Sequence, residues 1–84
     1  MPLHIEFEVL GPITNKRTIA IRNSIRELDR LNTTYGRGRW RKMSGEAVIE
    51  LVNGSIYYAE IHWYEAHGIG IKEMGVKKFI EKRN

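Results

Sequence analysis

Hydrophobic and polar residues alternate with a period of two at the start of the chain. In residues 3–10, Leu3, Ile5, Phe7 and Val9 share one face, and His4, Glu6 and Glu8 share the other. That pattern predicts a half-buried strand, which Gly11-Pro12 then breaks. Thr18 to Arg22 predicts a second strand. A helix follows. Ser24 with Glu27 three residues on has the form of a capping box, and Ile25, Leu28, Leu31 and Tyr35 recur at spacings of three and four before Gly36 ends the run. Arg22, Arg26 and Arg30 would form a basic stripe if the helix began before Ser24.

Asn53-Gly54 lies between two β-rich runs and predicts a hairpin. Two registers are open to it, and only one keeps a face apolar. A turn over Leu51–Gly54 with a left-handed Gly54 sets Leu51 opposite Ser55. Ile49 then faces Tyr57, Ala47 faces Ala59, Gly45 faces Ile61, Met43 faces Trp63 and Arg41 faces Glu65. The register shifted by one would mix Leu51, Ile49 and Ala47 with Glu60 and His62. A one-residue slip exchanges the two faces of a strand, so the apolar face selects the first register. A last β-like run extends from Ile71 to Ile80. The order β, β, α, then three β predicts an α+β fold. Residues 1–84 would form a single small domain, an antiparallel β-sheet packed on one α-helix.

Composition narrows the picture. Of the 84 residues 42% are hydrophobic and 29% charged, as in ordinary globular domains, and none is cysteine. Disulfides, thiolate zinc sites and thiol chemistry are excluded, and the expected compartment is the cytoplasm. No apolar run approaches the ~18 residues of a membrane span. Met1 to Glu6 lacks the basic start and apolar stretch of a signal peptide. Fourteen Lys and Arg against ten Asp and Glu give a net charge of +4. The segment Tyr35 to Lys42 holds four of the cations and no acid, so the rest of the chain is neutral. Focused charge of this kind attracts polyanions, whereas scattered charge only keeps a protein in solution. Lys77, Lys78, Lys82 and Arg83 form a second, weaker cluster.

Two segments carry candidate chemistry. In the first, Arg37, Arg39, Trp40, Arg41 and Lys42 predict a nucleic-acid-binding loop. Arginine forks grip phosphate, and an exposed Trp40 would stack on an unpaired base. The competing reading makes Trp40 a core anchor. In the second, His62, Tyr64 and Lys42 point away from the apolar face together with Ser44. They are the predicted catalytic residues for proton transfer and phosphate stabilisation in RNA cleavage. The competing reading is an ordinary polar sheet surface. His62, Glu65 and His67 are candidate metal ligands by residue type, but their spacing matches no common zinc pattern, so no metal or other cofactor is predicted. Gly68-Ile69-Gly70 is too short for a nucleotide-binding fingerprint.

The stretch from Trp40 to Ile80 resembles a segment of small uncharacterised bacterial proteins. The likeness lies in Trp40-Arg41-Lys42-Met43-Ser44-Gly45, the Asn-Gly turn and the run His62 to Gly70, and it implies no activity. The element order is similar to that of the RelE/ParE-like toxins, although that family usually has two helices before its sheet. The similarity implies mRNA cleavage by Lys, Arg, Tyr or His side chains and an acidic antitoxin-like protein partner. The expected function is therefore that of a nucleic-acid-directed protein, RNA favoured, cleaving or binding RNA in a toxin–antitoxin setting. The alternative is a non-catalytic interaction module for an acidic protein partner. No membrane partner is expected, and no oligomeric state is specified.

Overall fold

The period-two face of the central hairpin organises most of the molecule. The computed structural model describes residues 5–84. In chain order they form β1 (Phe7–Val9), β2 (Thr14–Ile21), a 3₁₀ turn (Arg22–Ser24), α1 (Leu28–Tyr35), β3 (Arg41–Leu51), β4 (Ile56–Ala66) and β5 (Gly70–Lys82). All strand pairs are antiparallel. The order across the sheet is β1-β3-β4-β5, and β2 also pairs with β3, on the edge that β1 occupies further along. Leu3 and His4 of the first predicted strand lie outside the described residues. No helix among those residues is long and apolar enough to cross a membrane.

The hairpin adopts the apolar-face register. Arg41 pairs with Glu65, Met43 with Trp63, Gly45 with Ile61, Ala47 with Ala59 and Ile49 with Tyr57. Gly54, at φ +87°, donates its N–H to the Leu51 carbonyl at 2.9 Å, and Leu51 donates to Ser55 at 2.9 Å. A side chain at that φ would be strained, which is why glycine closes the turn.

The α+β expectation is overturned. Strands hold 57% of the described residues and helical segments 14%, and the sheet curls into a half-barrel with one short helix. The helix does not cover the main apolar face. Met43, Ala47, Ile49, Ala59, Ile61, Trp63 and Val76 form the larger buried cluster, and every one of them lies in a strand. Long strands twist and coil, so a narrow sheet can close much of one face on itself. Ile13, in the link between β1 and β2, drops onto the same face over Gly45. A Cβ on Gly45 would lie 2.6 Å from Ile13 Cγ2 and 3.2 Å from the Thr14 carbonyl, so only glycine fits.

The helix packs against the other face, at one end. Leu31 joins Ile25, Trp40 and Ala66 in a second buried cluster, with Tyr64, Ala20 and Ile69 against it. Tyr64 and Ala66 alternate with Trp63 and Glu65 along β4, so this cluster lies across the sheet from the larger one. The helix is also shorter than the capping box predicts. Ser24 belongs to the 3₁₀ turn, and the helix N-cap is Glu27 with no side-chain cap. Ile25 is extended (φ −84°, ψ 119°) and 4% exposed, so burying its side chain overrides the local cap signal. The arginine stripe does not form. Arg30 instead makes paired bonds to Glu73 at 2.7 and 2.8 Å, and Tyr35 Oη donates to the same carboxylate at 2.8 Å. Glu73 sits in a break of the β4–β5 register at φ +57°, and that bulge turns its side chain toward the helix.

Candidate nucleic-acid interface

Past the helix, Gly36 turns the chain at φ +113° and the basic segment begins. Gly38 lies flat on the β4–β5 turn. A Cβ there would meet Ile69 Cδ1 at 2.9 Å and Ala66 Cβ at 3.1 Å. The residues on either side of it, Arg37 and Arg39, are exposed. Trp40 is not. It is 0% exposed, its indole N–H donates to the Gly36 carbonyl at 3.2 Å, and its ring meets Tyr35 at a centroid distance of 5.9 Å. The expectation that Trp40 stacks on a base is therefore corrected. The ring has no free face, because the smaller core needs a large apolar anchor.

The four cations of this segment differ in availability. Arg41 donates to Glu65 at 2.5 Å, and Glu65 also accepts the Trp63 indole N–H at 2.7 Å. Lys42 lies over the Tyr64 ring, 5.9 Å from its centroid. Arg37 and Arg39 make no ion pair among the described residues.

The fold adds a cation that the sequence reading missed. Arg22 opens the 3₁₀ turn directly after β2 at φ +44°, and its N–H donates to the Trp40 carbonyl at 3.0 Å. That sharp turn places Arg22 beside the basic segment. Ile21, Arg22, Arg39, Trp40, Arg41 and His67 line a cleft of about 290 Å³. Three arginines thus line one cleft, from the turn after β2, the loop and β3. Left-handed backbone at a non-glycine residue is costly and persists where surrounding bonds impose it. In the sequence Arg22 is one arginine at the edge of a β-like run, and no local pattern couples it to Arg39.

The second candidate group lies on the face opposite the larger core. Lys42 pairs with Tyr64 and Ser44 with His62, so His62, Tyr64, Lys42 and Ser44 share a face as the register requires. Lys42 and Tyr64 line a cleft together with Arg26, whereas His62 and Ser44 are buried. His62 is 8% exposed, and its Nε2 is 2.9 Å from Glu60 Oε2. Ser44, fully buried, donates to the same oxygen at 3.0 Å, and Arg17 approaches it at 3.4 Å. The hydrogen bond with His62 and then that from Ser44 hold the Glu60 carboxyl below its usual range. Asn15 and Tyr58 do the same for Glu46. Desolvation under the helix pushes the Tyr64 phenol up. The result is a satisfied polar network, with carboxylates as its hubs. Sequence reading missed Glu60 as the hub, although its alternation with His62 on one strand was visible.

Among the described residues no group of three or more His, Asp or Glu side chains could hold a metal ion. His62 and Glu65 point to opposite faces of β4, which separates the ligands considered for one.

Comparison with known proteins finds no match. Neither a family model, a curated protein nor a solved structure is similar enough to this chain to assign it a family.

Proposed function

We propose that the protein binds nucleic acid, RNA in preference, through phosphate contacts in the cleft of Arg22, Arg39 and Arg41. The observation that carries this reading is that three arginines from separate elements line one cleft, two of them free of ion pairs among the described residues. Arginine presents a planar fork to phosphate oxygens, and its charge is independent of pH in the physiological range. Arg37 extends the cationic surface beside the cleft.

The geometry favours binding over cleavage. A general acid or base must reach the proton it transfers, and His62 is nearly buried with Nε2 held at Glu60. Tyr64 is half-buried against the helix cluster, with the Lys42 ammonium 5.9 Å from its ring centroid. A toxin-like role would then act by occupying RNA. A salt titration with a fluorescent single-stranded RNA tests the reading. Contacts from Arg22, Arg37 and Arg39 should give a log–log slope of about −2, at ~0.7 per phosphate on a single strand. Arg39→Gln should shallow it by about 0.7. A folded protein with no salt-dependent affinity for RNA or DNA would leave the cleft to an acidic protein partner.

A further inference from the structure

We infer that the cleft recognises a terminal phosphomonoester of the nucleic acid, in preference to its internal diesters. The inference rests on the phosphate-binding reading above and narrows its ligand. Three observations support it.

The first is the charge of the cleft. Arg41 is neutralised by Glu65, whereas Arg22 and Arg39 have no carboxylate partner among the described residues. The cleft therefore presents two uncompensated positive charges. An internal diester carries one negative charge. A monoester carries about −1.5 to −2 at neutral pH and offers three acceptor oxygens. Two free arginine forks and a third guanidinium oriented by Glu65 match the monoester in charge and in donor number.

The second is that no long track with exposed aromatic rings prolongs the cleft among the described residues. A groove that follows a nucleic-acid backbone repeats its cations along the strand and interleaves exposed aromatic rings. Here the tryptophan beside the arginines is buried. The other basic cluster does not prolong the cleft. Lys78 pairs with Glu60 and Lys82 with Tyr57, toward the opposite end of β4 from Glu65. At about 3.3 Å per residue, Tyr57 lies roughly 25 Å from Glu65 along the strand. With Arg37 beside the cleft and Arg26 and Lys42 lining another one past Ala20, the cations form a short patch at one end of the molecule, which suits the end of a strand better than its middle.

The third is pre-organisation. Arg22 is held in left-handed backbone by bonds on both sides. Its N–H donates to Trp40, and its carbonyl accepts the Ile25 N–H at 2.9 Å. Trp40 supplies a rigid inner wall, and Gly38 fixes the course of the loop that carries Arg39. A seat whose backbone is fixed in advance loses less freedom when it captures a compact dianion.

The test uses one ten-nucleotide RNA in three forms: 5′-phosphate, 3′-phosphate and hydroxyl at both ends. Fluorescence anisotropy on the intact chain reads the affinities. At least one monoester form should bind about tenfold more tightly than the dihydroxyl form. Comparing the two monoester forms shows which end is seated. Arg39→Gln and Arg22→Gln should each cut the advantage to under about threefold, and Lys82→Gln should leave it intact. Circular dichroism checks folding. Should Arg22→Gln fail to fold, Arg39→Gln, in an exposed segment, decides alone. Equal affinity for all three forms, with the salt slope retained, overturns the terminal-phosphate inference and leaves nucleic-acid binding standing. Loss of all binding at ~50 mM salt overturns both.

Discussion

The two buried clusters are built in different ways and lie on opposite faces of the sheet. The larger is made entirely of strand residues at alternate positions. Its geometry follows from one turn and one register, and it needs no helix. The smaller gathers Ile25 from an extended segment, Leu31 from the helix, Trp40 from a loop end and Ala66 from a strand end. No single period links them. The difference separates a scaffold from a working end. The strand-built core gives the molecule its shape, and the mixed core holds the irregular backbone on which Arg22 and Arg39 are mounted.

The sharpest way to break this comparison is to remove the tryptophan at the centre of each cluster. Trp63→Ala should cost about 3–5 kcal/mol and abolish cooperative folding, because a buried indole is lost from the scaffold of a small chain. Trp40→Ala should cost near ~3 kcal/mol and loosen the helix and basic segment, while the strand signal in circular dichroism persists. The chain has two tryptophans, so each variant leaves the other as a fluorescent reporter in urea denaturation. If Trp40→Ala unfolds the sheet as completely as Trp63→Ala, the clusters form one cooperative unit and the distinction fails.

A smaller effect tests how the strand-built core closes. Gly45→Ala should destabilise by about 1–3 kcal/mol, because its methyl would overlap Ile13 and press on the β1–β2 link. A neutral result would mean that the link can shift aside. Smaller again is the response to acid. The folded-state carboxyl of Glu60 titrates below its unfolded value, so its contribution is present above about pH 4.3 and is lost as pH falls through the folded value. Thermal midpoints from pH 6 to pH 3 should fall less steeply in Glu60→Gln than in the native chain, with Glu46 supplying the remaining slope. An identical pH dependence would show that the network on this face contributes no such linkage.

Local pattern was enough for the hairpin. Met43 to Trp63 could be placed because Asn53-Gly54 admits few turn geometries and a slip of one residue would bury Glu60 and His62 among aliphatic side chains. The helix start could not be placed. Ser24 and Glu27 carry a valid capping signal, worth on the order of 1 kcal/mol, and burial of Ile25 outweighs it. The basic segment was visible as a run of charge, but the role of its tryptophan was not. A tryptophan beside arginines reads equally as a stacking ring or as a core anchor, and burial is a property of what packs on it. The proton-transfer candidates shared a face as their register required, yet burial at Glu60 removed His62 from solvent.

The amino-acid order alone specifies a central antiparallel hairpin, its apolar face, and a neutral body with one cationic stretch. All of these follow from alternation, turn chemistry and counting, which act between near neighbours or sum over the chain. Only in three dimensions does the sheet curl over its own apolar face, the helix pack on one end of the other face, and Arg22 join Arg39 and Arg41 around a single cleft. Those outcomes depend on close approaches such as Ile13 over Gly45 and on bonds such as Arg22 to Trp40, between residues 32 and 18 positions apart in the chain. Contacts at that separation leave no period in the sequence, because each is fixed by packing that exists only once the strands have met.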